Sequence, residues 1–391
     1  MSLDFDEVIN RVGTHSVKWD ACQSLYGVDP NEGIAMWVAD MDFRPPQAVN
    51  DALSEAVAHG VHGYFGNDAP YKSAIVNWMQ SRHGWEVDPA WISTTHGLVS
   101  AVGLCLQAFT APGDGVILFT PVYHAFAKMI NANDRVIVES ETINRDGRYE
   151  MDLDGLAASL SGNEKMVILC SPHNPGGRVW TAEELSAVAD FCIAHDLMLI
   201  SDEIHHDLTM PGQTHHVMHK LRPDLEDRLL MLTAASKTFN LAGGMTGNVI
   251  IPNAELRARF QKVHLAAGAS PNRFGILMTT AAYTHGAEWL DELRAYLDGN
   301  RQIFDAGVNA IPGLKSMALE ATYLAWVDFS GTGMGRAEFT ERVEKGAKIA
   351  ANYGPTFGTG GETFLRFNIA TPRPVIEEAV RRLQEAFADL Q

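Results

Sequence analysis

From about residue 90 to residue 252 the chain alternates short apolar runs with stretches of helical length, and no other feature constrains its fold as tightly. "GLVSAVGLCLQAFT" (97–110) has helical length and opens on a glycine, and "GVILF" (115–119) follows as a short strand. "KMVILC" (165–170) is a second strand. "TAEELSAVADFCIAHD" (181–196) begins with Thr181 and carries Glu184 three residues on, the signature of a capping box at a helix start. It runs directly into the strand-like "LMLIS" (197–201), and "RLLMLTAAS" (228–236) and "NVIIP" (248–252) complete the series. Strand, helix, strand at this spacing predicts βαβ units and a mostly parallel sheet.

The C-terminal third has another rhythm. A long helix is expected over "AEWLDELRAYLDGNRQIFDAGVNA" (287–310), then "TYLAWVDF" (322–329) as a half-buried alternating strand. One helix is expected over 336–353, a strand over "TFLRFNIA" (363–370), and a closing amphipathic helix from "RPVIEEAV" onward. This is an α+β unit, expected to pack with the N-terminal segment as a second, smaller domain. With 391 residues, 46% of them hydrophobic, the chain is long enough for one large core or two domains.

Its formal net charge of −18, without a basic run, argues against a nucleic-acid partner, whose phosphates need Lys and Arg. No apolar run is long enough to span a membrane. The N-terminus lacks the basic start and apolar stretch of a signal peptide, which makes a cytoplasmic protein the expectation. Cys22, Cys105, Cys170 and Cys192 form no CxxC pair; the last three sit in apolar runs, as buried free thiols do.

In an open α/β sheet, ligands bind beyond the carboxyl ends of the strands. Four of those ends carry unusual residues: Tyr123 in "TPVYHAF", Asn174 in "SPHNPGGR", Asp202 and His205 in "SDEIHHD", and Lys237 after "LLMLTAAS". A lysine at the end of a buried strand is costly, because burial disfavours its ammonium form. Each residue alone is ordinary loop chemistry; four on one edge of one sheet suit a single task. A lysine amine forms a Schiff base with a carbonyl cofactor, and a carboxylate pairs with a pyridinium nitrogen. An asparagine donates to a phenolate, and an aromatic ring stacks on a pyridine. Gly97 opens a helix whose free N–H groups suit a phosphate. Together these describe a pyridoxal 5′-phosphate site.

The stretches "GTHSVKWD", "MWVADMDFRPP", "SPHNPGGRVW", "SDEIHHDL", "SKTFNLAG", "NVIIPN", "TYLAWVDF" and "FLRFNIATPR" span nearly the whole chain. In them it resembles the fold-type I pyridoxal-phosphate enzymes, and within these the MalY/PatB-type cystathionine β-lyases. The resemblance implies a large domain (46–286) with a mostly parallel seven-stranded sheet between helices, and a smaller α+β domain formed by 1–45 and 287–391. It implies Lys237 as the Schiff-base lysine and proton shuttle, and Asp202 as partner of the pyridine nitrogen. Asn174 would contact the cofactor's O3′, near His205, and Tyr123 would stack on its ring. Backbone N–H groups of Gly97 and Leu98 would take the phosphate, helped by the Ser236 hydroxyl. Arg366 would clamp the α-carboxylate of an amino-acid substrate. Tyr64, in "HGYFG", would reach the phosphate of a neighbouring subunit, making a homodimer part of the site.

The chain departs from the wider aminotransferase pattern at three positions. His205 stands where many carry tyrosine. Met245 stands where a phosphate-binding cation is common, and Ala321 where glycine is expected. Three other stretches invite function. "GTGMGR" (331–336) has Arg336 where a dinucleotide loop needs glycine and reads as a turn. "HHVMHK" (215–220), with Asp207 upstream, suggests a metal but reads as a polar surface loop. Asp40 and Asp42 in "VADMD" are assigned no catalytic role. The expected activity is a carbon–sulfur β-lyase that releases a thiol, pyruvate and ammonia from a cysteine thioether. Its rivals are an aminotransferase on the same scaffold and a pyridoxal-phosphate-binding regulatory protein with little turnover.

Overall fold

Seven short segments meet edge to edge in one sheet in the computed structural model, which describes residues 4–390. In chain order they are β1 (Ile92–Thr95), β2 (Gly115–Thr120), β3 (Val136–Glu141), β4 (Glu164–Cys170), β5 (Met198–Asp202), β6 (Leu229–Thr233) and β7 (Gly247–Ile250). Their spatial order is β1-β7-β6-β5-β4-β2-β3, and only β7 runs against its two neighbours. This is the mostly parallel seven-stranded sheet that the resemblance implied.

Successive side chains of a strand point to opposite faces, and both faces of this sheet are covered. Val116 and Leu118 pack with the helices Leu98–Phe109 and Ala254–Ala266, while Ile117 and Phe119 join the opposite core with Leu185 and Val188 of the helix Ala182–Ala194. That helix begins with the expected capping box. Glu184 N–H donates to Thr181 Oγ1 and Thr181 N–H donates to Glu184 Oε2. All four cysteines are buried free thiols.

A second, antiparallel sheet contains β8 (Lys315–Ser316), β9 (Leu324–Asp328), β10 (Asn352–Tyr353) and β11 (Phe364–Asn368), in the order β8-β9-β11-β10. The helices Ala287–Asn309 and Arg373–Ala386 pack against each other beside it. Ile34–Ala35 pairs in parallel with Ile349–Ala350, so the N-terminal segment is tied to the C-terminal third by backbone hydrogen bonds.

Two expectations for this region fail. β9 is buried on both faces from Leu324 to Val327 instead of half-buried. Trp326 stacks on Phe364 at 4.8 Å between ring centroids and donates from Nε1 to the Tyr149 hydroxyl at 2.9 Å, so the face expected to meet water meets aromatic side chains. The single helix expected over 336–353 stops early. It runs from Arg336 to Glu341, widens into a π-type turn over Arg342–Gly346, and gives way to extended chain after Lys348 at φ +54°. Pairing of Ile349 with Ile34, and of Asn352 with Arg366, outweighs the local helical pattern. Residues 331–336 form the expected turn, with Gly333 left-handed at φ +71°. Sequence reading also missed β1 and β3, the two edge strands, whose Ser, Thr and Glu content hides their apolar positions.

Candidate active site

The carboxyl ends of β4, β5 and β6 lie side by side in the sheet, and this adjacency gathers Asn174, Asp202 and Lys237. A cavity of about 210 Å³ opens there. Gly97, Leu98, Tyr123, Asn174, Asp202, His205, Ser236 and Lys237 all line it. Eight of the residues singled out from sequence thus share one space, although 140 positions separate Gly97 from Lys237. Arg366 joins them, its Nη1 donating to Asn174 Oδ1 at 3.0 Å. Tyr64 does not. Within the single chain it is fully exposed, at 102% relative accessibility, and lines no part of the cavity.

Lys237 sits in a one-turn helix, Ala235–Thr238, that follows β6 directly. Its Nζ donates to the carbonyl of Ala39 at 2.5 Å. Burial pushes its pKa down to about 8, with Asp40 opposing, so the neutral amine is accessible near neutrality. Asp202, at the last position of β5, has its carboxyl pushed up to about 7 by burial, against the N–H that Ile204 donates to Oδ1 at 3.1 Å. A carboxyl so disfavoured as an anion lacks a cationic partner at hydrogen-bond distance. A protonated ring nitrogen in the cavity would supply one.

Arg366 makes the complementary case. It is buried in β11, burial pushes its pKa down to about 10, and among the described residues it has no carboxylate in ion-pair range. Nη2 donates to Trp37 O at 2.8 Å and to Asn352 Oδ1 at 2.5 Å, and the guanidinium lies 4.9 Å from the Phe357 ring centroid. Its Nε has no hydrogen-bond partner. A buried cation held only by neutral acceptors is suited to an incoming carboxylate.

The far end of the cavity is the start of the helix Leu98–Phe109, with Gly97 as N-cap at φ +77°. That backbone conformation suits glycine, and unpaired N–H groups at a helix N-terminus suit a phosphate. Met245 also lines the cavity, at φ +44°, so no cation stands there. Thr246 and Ser236 contribute hydroxyls to the same lining. His205 is buried, and burial holds its imidazole well below the ordinary range; its Nδ1 has no partner. Its ring meets Tyr323 edge-on at 6.3 Å, and the Tyr323 hydroxyl donates to Ala39 O. An orphaned ring nitrogen, an unpaired carboxyl, a desolvated amine and a helix N-terminus fit pyridoxal phosphate.

The segment 37–43 closes the cavity, and two motif asparagines hold it. Asn240 Nδ2 donates to Met41 O and Phe43 O, and Asn368 Nδ2 donates to Val38 O and Asp40 O. Asp40 and Asp42 are engaged in ion pairs with Arg11, and Asp42 also with Lys18 at 2.7 Å. Sequence reading missed Trp37, Ala39 and Asn352. Ala39 and Trp37 act through backbone carbonyls, which leave no trace in residue type, and Asn352 is placed by its register opposite Arg366. The expected surface loop at 215–220 is also corrected. The His215 side chain is covered against Glu203 at 2.8 Å, and Met218–Leu221 is a helical turn.

The sequence of the chain matches the family described as aminotransferase class I and II over residues 32–383. It is 39% identical to cystathionine beta-lyase PatB of Bacillus subtilis (strain 168), covering 99% of this chain and 100% of that protein. It is 32% identical to protein MalY of Escherichia coli (strain K12), covering 98% of each. Its structure resembles that of cystalysin from Treponema denticola, which contains a pyridoxal 5′-phosphate cofactor. There the TM-score is 0.95, at 39% identity and full coverage of both chains.

Proposed function

The chain belongs to the class I and II aminotransferase family, and on that premise we propose that it is a pyridoxal-phosphate-dependent carbon–sulfur β-lyase. Its substrate class is the cysteine thioethers, cystathionine among them, which it splits with one water into a thiol, pyruvate and ammonia. The observation that carries this reading is the single cavity that joins Lys237, Asp202 and Asn174 to an Arg366 without a counter-ion. The likeness to PatB supports elimination over amino transfer.

When bound, pyridoxal phosphate supplies a reactive carbonyl and a ring that accepts the electrons left at Cα. The chain's own groups do the rest. Lys237 Nζ would hold the cofactor's carbonyl carbon and would take the substrate's Cα proton, a role to which it is suited by burial, which pushes its pKa down to about 8. Asp202 keeps the proton on the ring nitrogen. Asn174, His205 and Tyr123, which line the same cavity, would hold the ring. Gly97 and Leu98 N–H groups, with Ser236, would take the phosphate. Arg366 fixes the α-carboxylate, which orients the Cα–H bond toward Lys237. The β-thiolate leaves with the electron pair of its bond to carbon.

Two copies would pair so that Tyr64 of one meets the phosphate of the other, which accounts for its full exposure in one chain. We assign 46–286 to the larger lobe, and 1–45 with 287–391 to the smaller. Among the described residues no helix is long and apolar enough to cross a membrane; a cytoplasmic location accords with this reading.

The test is the product balance of the purified protein with cystathionine and no added keto acid. Pyruvate, ammonia and homocysteine should appear in equal amounts. If turnover requires a keto-acid acceptor and no free thiol forms, the protein is an aminotransferase. If neither product set forms across several thioethers, the regulatory alternative stands.

A further inference from the structure

A cavity of about 610 Å³ lies apart from the one lined by Lys237, and the two share no lining residue. His83, His206 and Asp207 stand together in its wall. His83 Nε2 lies 2.8 Å from Asp207 Oδ1. His206 Nε2 lies 3.1 Å from Asp207 Oδ2 but makes no hydrogen bond, although the ring is buried. The two imidazoles meet at 4.5 Å between centroids, 65° apart in plane. One nitrogen from each histidine and one carboxylate oxygen all fall within 4.8 Å of one another.

The two imidazoles, one turned edge-on to the other, bring a nitrogen each beside the same carboxylate. Neutral imidazole and carboxylate are ligands for zinc-like divalent ions, and three protein ligands with a fourth position open are a recurring arrangement. The carboxylate is held from behind, as metal ligands usually are. Trp78 Nε1 donates to both its oxygens, at 3.1 and 3.2 Å, and Thr238 Oγ1 donates to Oδ2 at 2.7 Å. The sequence analysis set a metal at 215–220 aside, and the fold brings other residues to Asp207. His215 is taken up by Glu203, and His83 comes from the turn that follows the helix Ala69–Trp78, more than 120 positions away.

We propose that His83, His206 and Asp207 form a binding site for one divalent transition-metal ion of the zinc type, its fourth position open to the 610 Å³ cavity. The site is separate from the cofactor cavity but adjoins it through the chain. His206 follows His205, and Thr238, which holds Asp207, follows Lys237.

The test uses tag-free protein with its cofactor bound, dialysed against zinc chloride and analysed for retained metal, with cobalt chloride as a spectroscopic probe. The wild type should retain one zinc per chain, and cobalt should give the intense visible bands of a four-coordinate site with nitrogen and oxygen ligands. His206→Ala and His83→Ala should each weaken retention at least about tenfold, while cofactor absorbance and cooperative melting persist. Should either variant fail to fold, His206→Asn, which keeps a polar group of similar reach, replaces it. Absence of zinc retention by the wild type overturns the proposal. So does undiminished retention in the folded variants, or a cobalt spectrum of six-coordinate type.

Discussion

Arg366 carries a charge that no described carboxylate cancels, and its neighbours are a carbonyl, two amide oxygens and an aromatic face. A substrate carboxylate would complete it through charge-assisted hydrogen bonds worth about 1.5–3 kcal/mol. Arg366→Ala should therefore raise KM for amino-acid substrates by roughly 10- to 150-fold, and leave the cofactor spectrum unchanged. Steady-state kinetics beside an absorbance spectrum check this, and unchanged KM would make Arg366 a structural cation only. Asp202 and Lys237 make a prediction in the cofactor-free chain. Asp202 titrates near 7 in the fold against an ordinary 3.8, so the folded state holds a proton that the unfolded state has lost between those values. Its contribution to stability is full below about pH 4 and gone above about pH 7. Lys237 titrates near 8 against an ordinary 10.5, so the unfolded state holds the extra proton and stability rises with pH between those values. Thermal melting of the cofactor-free protein should show the wild type losing stability relative to Asp202→Asn from pH 4 to 7. Parallel curves would contradict the assigned titration. The titrating groups were legible in the sequence because each ends an apolar run, where an ionisable residue is out of place. Ala39 and Trp37 were not, since what they offer is a main-chain oxygen.

Elements reveal themselves when local pattern and tertiary demand agree. The helix Ala182–Ala194 satisfies both, through its capping box and an apolar face on the sheet. Glu184 has a second task there, since its Oε2 also accepts from Nη2 of buried Arg178 at 2.7 Å. Thr181→Ala should cost about 1 kcal/mol. Glu184→Ala should cost more, because it loses the cap and leaves a buried guanidinium short of one partner. Denaturant unfolding of the two variants checks the order, and an equal or reversed order would mean that Arg178 draws little from Glu184. The segment 336–353 shows the other outcome. Its amphipathic spacing is real, yet Ile349–Ala350 and Asn352–Tyr353 are claimed by strand pairing with residues far away in the chain. That pairing sets Asn352 against Arg366, so the element the sequence hid also supplies a site residue it hid.

At the scale of the whole molecule, function comes from topology. Parallel strands β4, β5 and β6 bring their carboxyl ends to one edge, and the helix after β1 turns its N-terminus toward the same place. The N-terminal segment crosses above, held by Asn240 and Asn368 from two distant stretches. The alternating pattern made the sheet legible, and the strand ends made most of the site legible. The His83–His206–Asp207 cluster was not, because His83 joins the adjacent His206 and Asp207 only after the chain has folded. The central claim is that this convergence has one covalent focus, the amine of Lys237. Borohydride reduction of the yellow protein with its cofactor bound, followed by peptide mapping, tests it most directly. The reduced pyridoxyl group should be found on Lys237 and on no other lysine. A label on a different lysine, or none at all, would contradict the account.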